Sequence, residues 1–125
     1  MVEGRSAAAP PRPSRIFDVH AGLGRLPLPL PELSAAETVQ RLGRHGIQRA
    51  VVSSEMALRY DVAEGNDQTA RALTEQPALA GYVVLDPHDV PGAAAELARC
   101  FANERFVGVE INLRAQTECH WVLRR

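Results

Sequence analysis

Short apolar runs alternate along this chain with longer amphipathic segments. The runs begin near residues 16, 49, 80 and 107. Their starts lie 33, 31 and 27 residues apart, close to the roughly 30 residues of a βαβ unit. The second run, over 50–53, is rich in valine and shows no alternation of apolar and polar positions, which is typical of a strand that is buried on both faces of a parallel sheet. The pattern predicts an α/β fold with about four β-α units and a parallel sheet.

The first amphipathic segment has clear helix boundaries. Ser34 and Glu37 have the spacing of a capping box, in which each residue satisfies a backbone N–H of the other. Gly46 suits the left-handed position that follows a helix. We therefore predict a helix over about 35–45.

Two further helices are predicted from their start and stop residues. Asn66 is a candidate N-cap for a helix that ends at Pro77, because proline interrupts a helix. Asp89 is a candidate N-cap for the next helix, which has Pro91 near its start.

The two ends of the chain lack these patterns. Residues 1–14 are rich in Ala, Pro and Arg and are expected to be a disordered tail. Residues 114–125 carry no cap and no apolar stripe and are expected to be an irregular tail. The residues between them, 15–113, are predicted to form one domain. Its four β-α units are half of the eight units in a (β/α)8 barrel of about 250 residues.

Composition and charge narrow the possible partners. Of 125 residues, 46% are hydrophobic and 23% charged, which is typical of a folded globular protein. The net charge of −1 and the 5% aromatic content do not favour binding to nucleic acid. No segment has the roughly 20 apolar residues of a membrane span, and two cysteines do not make a disulfide framework. A cytoplasmic protein without a membrane or nucleic-acid partner is expected.

Polar residues stand where the predicted strands end. His20 and Asp18 belong to the first strand, Ser53 to the second and Glu110 to the fourth. Active sites of parallel α/β proteins form at the C-terminal ends of the strands. Ser53 has no readable His–Asp partners, so nucleophilic catalysis by this serine is not indicated.

The segment around His20 resembles the first strand of amidohydrolase-related, metal-dependent hydrolases, whose signature is D-x-H-x-H-x-G. It reads IFDVHAGLG over 16–24, and the similarity continues in order and spacing over about 15–113. The resemblance implies a TIM-type barrel that binds zinc or a similar divalent ion through first-strand histidines and later ligands. It also implies hydrolysis or decarboxylation of a small carboxylic or cyclic compound.

The chain departs from that family pattern. Gly22 stands at the second histidine position, and further ligands would lie on strands beyond the fourth. The remaining candidate metal ligands are His20 and Glu110, and similar proteins often carry Lys at the position of Glu110. Because a catalytic zinc needs about three protein ligands and an open position, the chain is expected to be a truncated form that is inactive alone.

The sequence is also consistent with other roles for these residues and for the chain. His20 could form a hydrogen bond at a strand end, and Glu110 could be a solvated carboxylate. The chain could be a non-catalytic binding or regulatory remnant, or a flavodoxin-like regulatory domain, although the acidic pair and fifth strand of such domains are not evident. If the half barrel is correct, its open edge strands would favour a homodimer that covers them.

Overall fold

A computed structural model describes residues 15–26 and 28–112. The predicted tails over 1–14 and 114–125 lie outside the described residues. The strands are β1 (Ile16–Leu23), β2 (Ile47–Ser54), β3 (Leu79–Val84) and β4 (Phe106–Glu110). The helices are α1 (Ala35–Arg44), α2 (Glu55–Arg59), α3 (Val62–Glu75) and α4 (Val90–Phe101). Over this part of the chain, no helix is both long and apolar enough to cross a membrane.

The four strands form one parallel sheet in the order β1-β2-β3-β4. This confirms the predicted α/β class and the parallel sheet. Each strand pairs with the next strand along the chain, whereas flavodoxin-like domains have the order 2-1-3-4-5. The observed order therefore does not favour the flavodoxin-like alternative.

The main hydrophobic core lies between the sheet and the helices α1, α3 and α4. Val52, Leu79, Val83 and Phe106 from the strands pack with Leu73 of α3 in this core. Each fully buried side chain of this size stabilises the fold by about 1.5–3 kcal/mol. The core fixes the helices against the sheet and so determines where the strand ends lie.

The predicted boundaries of α1 are confirmed, with the final residue one position earlier. The Ser34 hydroxyl accepts from the backbone N–H of Glu37, and the Glu37 carboxylate accepts from the backbone N–H of Ser34. Gly46 follows the helix with φ of +76°, the left-handed conformation that glycine adopts without strain. Asp89 also caps α4, with Pro91 in its first turn.

The predicted N-cap role of Asn66 is wrong. The third helix begins earlier, at Val62, where the Asp61 side chain accepts from the backbone N–H of Glu64. Asn66 lies inside the helix and is 1% exposed. Its side chain donates to the carbonyl of Val84 and accepts from the N–H of the same residue, at 2.9 Å each. Asn66 therefore attaches α3 to the end of β3.

A short helix that the sequence pattern did not reveal follows β2 directly. Ser54 is its N-cap and accepts from the N–H of Met56. This helix, α2, contacts α3 closely, since a Cβ on Gly65 would lie 2.1 Å from the backbone nitrogen of Ala57. The first strand extends beyond the apolar run over 16–19 that predicts it, and it continues through Gly22 to Leu23.

Candidate functional site

The two residues proposed as metal ligands meet at the C-terminal ends of the strands. His20 lies on β1 and Glu110 is the last residue of β4. The imidazole Nε2 of His20 and Oε1 of Glu110 are 2.9 Å apart and form a hydrogen bond, which is an ion pair when His20 is protonated. The structure thus brings together two residues that lie 90 positions apart in the chain.

This contact requires a curved sheet. Strands β1 and β4 are separated by β2 and β3, and three spacings of about 4.8 Å would place them about 14 Å apart in a flat sheet. Side chains stand roughly perpendicular to a flat sheet, so His20 and Glu110 could not meet across it. The sheet therefore curves toward the face that carries this pair.

Ser53, at the end of β2, holds the other oxygen of Glu110. Its hydroxyl donates to Oε2 of Glu110 at 2.5 Å, the short distance typical of a hydrogen bond to a carboxylate. Ser53 is only 2% exposed. The side chain therefore orients the Glu110 carboxylate toward His20, a role that the sequence pattern did not indicate.

The environment of His20 favours its protonated form. The hydrogen bond that protonated His20 donates to the Glu110 carboxylate raises the pKa of His20 above its usual value of 6.5, and the negative charges of Glu110, Asp18 and Glu55 act in the same direction. Partial burial lowers the pKa of His20 and so opposes these effects without reversing them. Asp18 also accepts a hydrogen bond from the backbone N–H of His20 at 2.9 Å, which fixes the strand locally. The imidazole is 68% exposed and the Glu110 side chain 12% exposed, so the pair lies at a surface opening.

Glu55 is a site residue that sequence reasoning missed. It is the first residue of α2 and is 8% exposed. Arg59 donates to Oε2 of Glu55 at 2.7 Å, while Oε1 lies 3.4 Å from the position of a Cβ on Gly22. The absence of a side chain at Gly22 leaves room beside this carboxylate. The available signal was the acidic residue directly after the end of β2.

These residues line one side of a cavity of about 200 Å³. His20, Gly22, Ser53 and Glu55 form its polar wall. The other wall comes from the segment after β1, which returns to the sheet through an antiparallel bridge between Gly24 and Leu33. A small molecule in this cavity would contact the ends of β1 and β2 directly.

The donor atoms of His20 and Glu110 fit two positions of a divalent metal site. Imidazole nitrogen and carboxylate oxygen are both zinc ligands, with bonds of about 2.0–2.2 Å. Two donors of one tetrahedral zinc would then lie roughly 3.4 Å apart, so the observed 2.9 Å pair needs to open only slightly. Within the described residues, no group of three or more His, Cys, Asp or Glu side chains is placed to hold a metal ion. The pair fits as part of a ligand set that needs at least one further donor.

A second histidine near a strand end, His88, follows β3 but lies outside the cavity beside His20. Its backbone N–H donates to Oδ1 of Asp86 at 2.9 Å in the turn between β3 and α4. Neither residue is among those that line the cavity beside His20.

Comparisons of the whole chain with models of known families, with curated proteins and with solved structures found no match.

Proposed function

We propose that this chain forms one half of a metal-dependent hydrolase of the TIM-barrel, amidohydrolase-related type, acting on a small molecule. In this proposal His20 and Glu110 are two ligands of a divalent cation, with zinc the best match to their donor atoms. The observation that carries the proposal is the 2.9 Å contact between these side chains, at the C-terminal ends of two strands that are not neighbours.

The sheet geometry supports a barrel rather than an open sheet. The parallel strands follow one another in chain order, which is also the order in a (β/α)8 barrel. The sheet curves enough for the outer strands to contact each other through side chains. In barrels of this type, active sites form at the C-terminal ends of the strands, where His20, Ser53 and Glu110 lie.

Each residue has a distinct role in the proposed site. A bound divalent cation would supply Lewis acidity and lower the pKa of a coordinated water. Ser53 keeps Oε2 of Glu110 occupied, so that Oε1 is the oxygen directed at His20. His20 is positioned by its strand, and its Nε2 must lose its proton before it can bind a metal. Because Glu110 raises the pKa of His20, metal binding should release a proton and strengthen with rising pH.

A second copy of the chain is the proposed source of further ligands. Both outer strands of the described sheet carry exposed apolar residues, including Phe17 and Val19 on β1 and Val107 and Val109 on β4. Strand edges and apolar surface of this kind tend to be paired or covered. Two four-stranded sheets with this curvature would together supply eight parallel strands. Sedimentation velocity with and without Zn²⁺ tests the pairing, and a monomer under both conditions would contradict it.

The metal site is tested by titrating metal-free protein with Zn²⁺ in a calorimeter and with Co²⁺ in an absorption spectrometer. Loss of outer partners alone weakens metal sites by about 10–100-fold, so His20→Ala and Glu110→Gln should each weaken binding by at least about 100-fold. His45→Ala, outside the cavity at the end of α1, is the matched control and should bind like the unaltered chain. No Zn²⁺ binding by the unaltered chain, or equal binding by all three variants, would refute the proposal.

A further inference from the structure

A second cavity, of about 250 Å³, lies at the N-terminal ends of the strands, away from His20. Phe17 and Val107, near the starts of the two outer strands, are among its apolar lining residues. These two side chains are 51% and 56% exposed, so each offers apolar surface to a ligand. The charged residues of the lining are Arg49 and Arg105, and none of the described residues that line this cavity is acidic.

Arg49 points to the concave face of the sheet. The next residue, Ala50, is 0% exposed and belongs to the core between the sheet and the helices. Because successive side chains of a strand point to opposite faces, Arg49 lies on the other face. Ser53, four residues later, bonds to Glu110 on that same face. The inward positions of parallel barrels are usually filled by branched apolar residues, so packing does not explain an arginine there.

The two guanidinium groups differ in how they are held. Arg105 donates to the carbonyl oxygens of Leu73, Gln76 and Leu79 and so closes the C-terminal end of α3. Carbonyl oxygens orient a guanidinium without neutralising its full charge, and these bonds use three of its five N–H donors. Arg49 has no hydrogen-bonding or ion-pair partner within the part of the chain that the structure describes. The cavity therefore has one fixed and one free guanidinium, with no carboxylate beside them.

We propose that this second cavity binds a small organic phosphate, with the phosphate group on Arg49 and Arg105. Two guanidiniums match the charge of a phosphate dianion, and their planar forks match the arrangement of its oxygens. Phe17 pairs in register with Arg49 on the neighbouring strand, so the apolar body of the ligand would lie against Phe17 and Val107. The volume of about 250 Å³ is below the roughly 300–1,000 Å³ of sites for drug-sized ligands, so the ligand is small.

The proposal rests on neither the metal site nor the pairing with a second copy. The residues that line the second cavity include none of His20, Ser53 and Glu110. A phosphate bound there would lie at the opposite ends of the strands from the proposed metal.

The test titrates phenyl phosphate, inorganic phosphate and phenol into the full chain in EDTA, at about pH 7.5, where a phosphate monoester with a second pKa of about 6 carries two charges. Amide chemical shifts measure binding. Phenyl phosphate should bind most tightly, with the largest shifts around Phe17, Arg49 and Val107. Arg49→Met should weaken its binding by about tenfold or more, the effect of one charge-assisted interaction. Arg49→Lys keeps the charge but not the fork and should cause a smaller loss.

Arg44→Met is the matched control, because Arg44 is also an exposed arginine but does not line this cavity. It should bind phenyl phosphate like the unaltered chain. Because Arg49 is exposed as well, Arg49→Met should keep the amide spectrum of the folded chain.

Several results would overturn the proposal: equal weakening by Arg44→Met and Arg49→Met, equal affinity for phenyl phosphate and phenol, or no saturable binding at millimolar concentrations. Tighter binding of inorganic phosphate would show that the ligand is free phosphate and not an organic phosphate. Shifts confined to His20, Ser53 and Glu110 would place the ligand in the other cavity. Because EDTA is present, none of these results bears on the proposed metal site, which the Zn²⁺ titrations test separately.

Discussion

A side chain at Gly22 would begin beside the carboxylate of Glu55, with its Cβ 3.4 Å from Oε1 of Glu55. This is an ordinary van der Waals distance, and Gly22 is not one of the described glycines with positive φ, which are Gly24 and Gly46. Gly22 pairs with Ser53 beyond the register shift between Asp18 and Ala21, and it lines the same cavity as His20. A histidine at position 22 would therefore begin on the cavity side, without the strain of a left-handed backbone.

We predict that Gly22→His increases the affinity for Zn²⁺ by about tenfold or more, because it adds a third donor to His20 and Glu110. Gly43→His is the control, since Gly43 lies on α1 with open space around its Cβ position. Calorimetric titration of both variants measures the effect. A similar gain in the two variants would mean that the added histidine acts only as a surface ligand.

The stability of the metal-free chain should depend on pH through His20. Its folded pKa is raised above 6.5, so the contribution of the ion pair is complete below about pH 6.5. It is lost as the pH rises through the raised folded pKa. His20→Asn should therefore lower the free energy of unfolding more at pH 5.5 than at pH 9, by less than about 1 kcal/mol because the imidazole is largely exposed.

Urea unfolding in EDTA at the two pH values measures this difference. The same comparison in a Glu110→Gln background is the control, because the charged partner of His20 is then absent. A pH-dependent effect of His20→Asn that persists in that background would show that Glu110 is not its cause.

Ser53→Ala should weaken metal binding without removing a ligand. The hydroxyl holds Oε2 of Glu110 at 2.5 Å, and loss of such outer partners typically lowers metal affinity by about 10–100-fold. Ser54→Ala, one residue later and bonded to Gln68 and the N–H of Met56, is the comparison and should have a smaller effect on Zn²⁺ affinity. Equal Zn²⁺ affinities for the two variants would contradict the proposed role of Ser53.

Asn66→Ala should strongly destabilise the fold. It would leave the N–H and the carbonyl of Val84, a fully buried residue, without the partners they have in Asn66. Each unsatisfied buried group costs about 1–3 kcal/mol, so for the two groups we expect a loss of at least about 2 kcal/mol in the free energy of unfolding. Thr74→Ala is the control on the same helix, because Thr74 is exposed and bonds only within α3. A loss below about 0.5 kcal/mol for Asn66→Ala, the range of surface substitutions, would contradict this assignment.

Most of the fold could be predicted from the apolar runs and the capping residues. The four strands, the parallel sheet, α1 and α4 follow from local signals such as the Ser34–Glu37 box. The start of α3 was also present in the sequence, because Asp61 and Glu64 have the same spacing as that box. Asn66 was instead predicted as the N-cap of this helix. In a single sequence, an asparagine that caps a helix cannot be distinguished from a buried asparagine that bonds to a distant strand.

Individual residues of the candidate site could be predicted from the sequence, but their positions relative to one another could not. His20 and Glu110 were each identified from their position at a strand end. Their contact depends on the curvature of the sheet, which is a property of all four strands and leaves no local pattern. Glu55 follows β2 directly in the sequence, but its place on the cavity wall depends on how α2 packs, so its position alone gave it no role.

The contact between His20 and Glu110 also joins the first and last strands of the described sheet. The two side chains can separate only if β1 and β4 move apart. The distance between these strands therefore determines the distance between His20 and Glu110. If a ligand binds between His20 and Glu110 and the sheet edges pair as proposed, the two equilibria would be thermodynamically linked. A molecule bound at the strand ends would then alter association at edges that it does not touch, and association would alter the affinity for that molecule.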